Sequence, residues 1–246
     1  MTPRIPAAAI LCLAALAAAP PDDLERARQA NLDFASHMPN FVADETAVRY
    51  TSNTGPGNWR RFDIVATEIV IRGAKAVRQQ VRRNGKLWPQ SFETLPGFKW
   101  YGGFGTEIRS VFDPGCPTTI AFQGRAGLRG KPALEYHFES PAGGCFAFFY
   151  FGSQQANPAR SGRVLVDEAS GRVLQLEETA ADFPPGFAFS RREEMVSWDT
   201  VSIGAESHLL PVAARFRVQA SSGTWWRIEV TFQNHRHFEA ASRVVY

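Results

Sequence analysis

Long apolar runs are missing from this 246-residue chain once its first nineteen residues are passed. No later stretch approaches the ~18 consecutive apolar residues that span a bilayer as a helix, so the mature chain has no transmembrane segment to offer. Glycine (20) and proline (16) are too few for a collagen-like or low-complexity chain. Charge of one sign is lacking as well: the formal net charge is only +3, which argues against nucleic acid as a partner. Nucleophile and cofactor motifs are absent. Ser153, in Phe151-Gly152-Ser153-Gln154-Gln155, has no G-x-S-x-G elbow, and Gly102-Gly103-Phe104-Gly105 is too short and ill placed to cradle a phosphate. His235 and His237 are two apart and would share a strand face, as a metal pair requires, but no third ligand is recognisable. His37, His137 and His208 are isolated. A hydrolase triad would have to assemble in space from Ser, His and an acid that no motif marks, so neither a catalytic residue nor a cofactor is assigned.

Cysteine is scarce, with three in all, and the first, Cys12, lies in a segment of its own kind. Arg4 precedes an apolar run, Ala7-Ala8-Ala9-Ile10-Leu11-Cys12-Leu13-Ala14-Ala15-Leu16, that ends in small residues, the layout of a secretory signal peptide. Ala15-Leu16-Ala17 is an A-x-A site, so residues 1–17 are read as the leader and 18–246 as one exported domain, periplasmic or extracellular. Leu11 stands before Cys12 where a lipobox needs a small residue, which argues against lipidation. Cys116 and Cys145 then remain alone, and an even pair in an oxidising compartment reads as a disulfide ahead of a metal site or a thiol nucleophile.

What the chain does have is hydrophobic periodicity. Leu24, Ala27, Phe34 and Met38 recur at helical spacing, and Asp22, Asp23 and Glu25 sit where a helix dipole favours acids, so a helix is predicted over 21–38. Phe104, Ile108, Val111 and Phe112 predict a second, over 104–112, stopped by Asp113-Pro114. Nearly everything else has period two. Strands are predicted at 41–51, 60–72, 75–83, 118–123, 132–140, 145–152, 162–167, 172–180, 191–203, 209–220 and 224–233. Asn84-Gly85, Ser170-Gly171 and Ser222-Gly223 supply tight reversals, so consecutive strands should be neighbours in a long antiparallel meander. One sheet face should be dry and the other wet. Trp226, Ile228, Val230 and Phe232 oppose Trp225, Arg227, Glu229 and Thr231, and Leu134, Tyr136 and Phe138 oppose Glu135, His137 and Glu139. Val212, Ala214, Phe216 and Val218 likewise oppose Ala213, Arg215, Arg217 and Gln219. The expected fold is α+β, mostly antiparallel β: a curled, open half-barrel sheet of about eleven strands with both helices packed on its concave face.

Met38-Pro39-Asn40-Phe41, Trp59-Arg60, Gly103-Phe104-Gly105, Phe112-Asp113-Pro114, Gly162-Arg163-Val164-Leu165-Val166-Asp167 with Gly171-Arg172-Val173-Leu174, and Leu209-Leu210-Pro211 together resemble a family of exported proteins common in soil acidobacteria. The strand order, and the hairpin in which an acidic turn leads into Gly-Arg-Val-Leu, resemble periplasmic lipoprotein carriers and outer-membrane lipoprotein-sorting proteins (LolA-like). That resemblance implies an open half-barrel whose apolar concavity, lidded by helices, holds acyl chains. It also implies an arginine inside the cavity, which no motif locates here, and it supplies no catalytic residue.

Three features are candidates for function. Cys145-Phe146-Ala147-Phe148-Phe149-Tyr150-Phe151 puts aromatic groups on both faces of one strand, which should be covered on both sides, either as a core strand or with one face lining an apolar cleft. Trp88, Phe92, Phe98, Trp100, Tyr101 and Phe104 lie in or beside the Gly/Pro-rich stretch 94–105, where they close over something or simply pack. An apolar cleft is therefore expected between the second helix and the concave sheet, lined by Trp100, Phe104, Ile108, Phe112, Phe148, Trp226, Ile228 and Phe232. Between Arg60 and Lys86, eight basic residues face two acids, and Arg72, Lys75, Arg78, Arg82 and Arg83 make a basic hairpin suited to an acidic partner or an anionic membrane surface. The same run also reads as a solvated strand face. The reading that results is an exported binding protein for a lipid or acylated protein. The alternative is a protein-interaction or sensor module whose concavity is filled by its own side chains.

Overall fold

The computed structural model describes residues 21–72, 75–101, 105–146, 148–151 and 153–238. The leader, with its cleavage site, and Phe104 lie outside the described residues.

Helix α1 (Pro21–Ser36) begins with Asp22 and Asp23 in its first turn, where acids favour the dipole. Its inward face carries Ala27 and Phe34 into the core, and fully buried Asn31 fixes its position. The Asn31 amide donates to Ala27 O (2.7 Å) and Gly171 O (2.9 Å), and its carbonyl accepts from Val173 N (2.8 Å). Gly171 has φ +71, and a Cβ there would stand 3.3 Å from the Ala27 backbone, so only glycine lets the Ser170-Gly171 turn meet the helix this closely.

The strands are β1 (Phe41–Ser52), β2 (Arg60–Arg72), β3 (Lys75–Arg83), β4 (Lys86–Leu87), β5 (Thr119–Leu128), β6 (Lys131–Ser140), β7 (Phe149–Phe151), β8 (Gln154–Ala156), β9 (Arg160–Asp167), β10 (Val173–Ala180), β11 (Phe189–Ile203), β12 (Glu206–Ala220) and β13 (Trp225–His237). Eleven of them form one antiparallel sheet, not closed into a barrel, in the order β4-β3-β2-β1-β13-β12-β11-β10-β9-β6-β5. Consecutive strands are neighbours almost throughout. The exception at the centre is that the first strand pairs with the last, from Phe41 opposite His237 to Ser52 opposite Trp225. The sheet edges are therefore β4 and β5, in the middle of the chain, and the segment between them crosses the dry face. That segment carries a short 3₁₀ turn (Phe92–Thr94) and helix α2 (Thr106–Phe112), which packs against α1.

The faces alternate as expected on β6 and β13, where Leu134, Tyr136, Phe138, Ile228, Val230 and Phe232 are all buried. On β12 the phase shifts. Ser197 pairs with Ala213 but Trp198 with Pro211, leaving Val212 as the extra residue of a bulge, so Val212 is half-buried while Pro211, Leu210 and Leu209 are covered.

One strand differs from expectation. The segment 145–152 does not join the sheet: β9 takes the place beside β6, and only Phe149–Phe151 is extended, paired with β8 in a separate hairpin. The turn at Gly143, the positive φ of Phe146 (59°) and a disulfide between Cys116 and Cys145 (Cα–Cα 5.4 Å) turn the chain away from β6 and tie it to the end of α2. The aromatic run is thus neither a core strand nor covered on both faces.

Candidate functional site

Two sets of buried charges sit on the inward face of the sheet, one at each side. On β1, Glu45 and Arg49 occupy the same phase as Phe41, Ala43 and Ala47, and on β2 Asp63 shares the phase of Val65, Ile69 and Ile71. Buried charge costs free energy unless it is paired, and here the pairing is complete. Arg49 meets Asp63 through two bonds (2.7 and 2.6 Å), and Arg83 adds a third to the same carboxylate (2.6 Å). Arg49 also donates to Pro96 O (2.9 Å) and Phe98 O (3.1 Å). Glu45 accepts from Thr67 (2.8 Å), from Arg78 twice (2.6 and 2.8 Å) and from the Trp100 indole (2.8 Å). The segment 94–101 is thereby held by side chains that reach through the sheet's dry face.

Across the sheet, Arg160 on β9, Glu178 on β10, and Arg192 and Glu194 on β11 form the second set. Arg160 binds Glu178 (2.8 Å) and Ser110 of α2 (3.2 Å), and Arg192 bonds Glu194 and lies 3.8 Å from Glu178. Desolvation pushes the Glu194 carboxyl well above the usual carboxylate range against the opposing pull of Arg192, with Glu107 and Glu178 adding to the rise.

Between the two sets lies a cavity of about 810 Å³. Segment 97–101 forms one wall, Thr106 and Glu107 at the start of α2 another, Phe146 with residues 148–151 a third, and Phe189, Arg192 and Phe216 the floor. Ten of the fifteen described lining residues are aromatic, which suits an apolar or aromatic guest rather than a polar metabolite. Phe149 anchors the hairpin by packing on Phe183 (5.2 Å between ring centroids) and Phe189 (6.3 Å), and the Arg192 guanidinium lies 4.9 Å from the Phe149 ring centre. Phe148, Tyr150 and Phe151 remain 48%, 67% and 55% exposed around the mouth.

Of the residues expected to line a cleft, Trp100 and Phe148 border this cavity. Ile108, Phe112, Ile228 and Phe232 do not: they pack together in the main core, so the space directly beneath α2 is filled. Half-buried Trp226 lies behind the loop, where its ring leaves no room for a Cβ on Gly97. The basic hairpin is divided. Arg78 is not a surface residue, because the inward phase of Glu45 draws its guanidinium into the interior, and Arg83 is turned partly inward by Asp63. Arg72 lies over the Phe238 ring (3.8 Å), while Lys75 and Arg82 are exposed. His235 bonds Pro211 O (3.1 Å), burial lowers its pKa, and the His237 ring is 6.3 Å from that of His208. Among the described residues no three His, Cys, Asp or Glu side chains gather as a metal ion requires. Sequence reasoning passed over Glu45, Arg49, Asp63, Arg160, Glu178 and Glu194. The detectable sign was a charged residue standing in the apolar phase of a strand.

No protein-family model matches the chain, and no curated protein is similar to it in sequence. Among solved structures it is similar to an outer membrane lipoprotein-sorting protein domain from Vibrio parahaemolyticus, at 9% identity over 89% of this chain and 94% of that one, with a TM-score of 0.40. It is also similar to a DUF1329 family protein from Desulfovibrio piger (11% identity, 90% and 94% covered, TM-score 0.39). It is similar as well to a LolA superfamily protein from Nitrosomonas europaea, 9% identical over 92% of this chain and 96% of that one, with a TM-score of 0.39.

Proposed function

We propose that the protein is an exported, periplasmic, non-catalytic binding protein that holds a hydrophobic ligand, a lipid chain or an acylated segment of a protein, in the aromatic cavity between segment 97–101 and the β7–β8 hairpin. Residues 18–246 would act as one domain after removal of the leader. The carrying observation is the cavity with Phe148, Tyr150 and Phe151 exposed at its mouth, an apolar surface that gains free energy by being covered. The buried charges support two of its walls: Arg49 and Glu45 hold the loop at Pro96, Phe98 and Trp100, and Arg160 bonds Ser110 of α2.

Titration with a hydrophobic fluorescent probe, together with native mass spectrometry of the purified protein for retained lipid, tests this. Phe148→Asp is expected to weaken the probe by about 10- to 100-fold, the cost of losing one buried phenyl contact. Its melting temperature should hold, because Phe148 is outside the core. Ile108→Glu is unsuitable for this purpose, since fully buried Ile108 belongs to the core. Folded wild-type protein that takes up neither probe nor lipid would refute the reading.

The filled space beneath α2 favours a second reading, a protein-interaction module working through exposed Lys75 and Arg82 on an acidic partner or an anionic membrane surface. Salt-sensitive binding to anionic vesicles, lost in Lys75→Glu/Arg82→Glu, is its signature.

A further inference from the structure

Lys99 is the one lysine bordering the aromatic cavity among the described residues. Its ammonium donates to two carbonyls of its own loop, Leu95 O (3.0 Å) and Gly97 O (3.4 Å), and makes no ion pair with a carboxylate among the described residues. The cavity's other cation, Arg192, is already taken up by Glu194 and Glu178. An ammonium has three donors, so one remains to be used at the edge of an apolar chamber. Aromatic walls alone would favour a cationic guest through their ring faces. Lys99 opposes that preference at its own wall of the cavity, while Glu107, at the start of α2, leaves the far wall acidic.

Resting on the hydrophobic-ligand reading above, we infer that the guest is an anionic amphiphile whose carboxylate or phosphate monoester is met by the Lys99 ammonium while its chain lies among the aromatic rings of the cavity. Burial and the positive charge of Arg49 push the Lys99 pKa down, opposed by Glu93, so its surroundings disfavour the lysine's charge and an incoming anion would relieve them. The arginine buried beneath the same loop, paired with Asp63, thus holds Pro96 and Phe98 and also bears on the Lys99 ammonium.

The test compares a fluorescent polyene fatty acid with its methyl ester, using the full mature protein at low salt. The acid is expected to bind about tenfold tighter, the scale of one charge-assisted hydrogen bond. Lys99→Met should bring the two within about twofold of each other by removing that bond, and Lys99→Arg should retain most of the preference. Competition by dodecanoate against dodecyl phosphate then separates a carboxylate from a phosphate source, and dodecyltrimethylammonium should compete worst. Equal binding of acid and ester by the wild type overturns this inference and leaves the hydrophobic-ligand reading standing. So does a preference that survives intact in folded Lys99→Met. Failure of both probes to bind overturns the two together.

Discussion

Glu194 places a carboxyl group among Arg192, Glu178 and Glu107 with its side chain shut off from water. Arg160 and Arg192 face three carboxyl groups, Glu178, Glu194 and Glu107, and burial makes the charged form costliest for Glu194. The raised folded pKa has a definite sign: the stabilisation is complete below the ordinary glutamate range and is lost as pH rises through the folded value. Glu194→Gln is expected to keep the contact with Arg192 and flatten that slope. Thermal unfolding from pH 5 to 8 should show wild type losing more stability than the variant over this span. Gly171→Val should cost about 1–3 kcal/mol, since φ +71 and the Ala27 backbone both oppose a side chain there. Denaturant melts measure it. At this scale the sequence was readable where a side chain's environment follows from periodicity, as for Ile228 and Val230. It was not readable for Arg78, which sits in a basic run that looks solvated until Glu45, more than thirty residues earlier, is seen beneath it.

The β7–β8 hairpin depends on two attachments, the Cys116–Cys145 bridge and Phe149 packed on Phe183 and Phe189. Closing a loop of 29 residues contributes about 3–4 kcal/mol in the chain-entropy model. Cys116→Ser/Cys145→Ser is expected to lower stability by about that amount and to weaken a bound hydrophobic probe, because one wall of the cavity loses its tether. Chemical denaturation and probe titration on the same sample read both effects. The disulfide was legible from an even cysteine count, and the strands with one wet face were legible from alternation. The aromatic run resisted reading because six apolar residues in a row carry no period. In the separate hairpin Phe149 is buried against Phe183 and Phe189, while Phe151, in the same phase, stays exposed.

For the whole molecule, eleven strands in one sheet make most contacts long in sequence, so refolding is expected in milliseconds to seconds rather than microseconds. Stopped-flow tryptophan fluorescence on the oxidised protein checks this. Meander order was legible from the turns at Asn84-Gly85, Ser170-Gly171 and Ser222-Gly223. The meeting of the two ends was not, since alternation states which face a strand buries and nothing about which strand lies beside it. That meeting governs what happens while the chain is still emerging. Phe41 finds its partner only when His237 has arrived, so every shorter intermediate carries β1 with one row of amides and carbonyls open to any passing strand. Until that strand is in place the sheet exists as two unjoined halves, β4 to β1 on one side and β12 to β5 on the other, and a single late pairing makes them one.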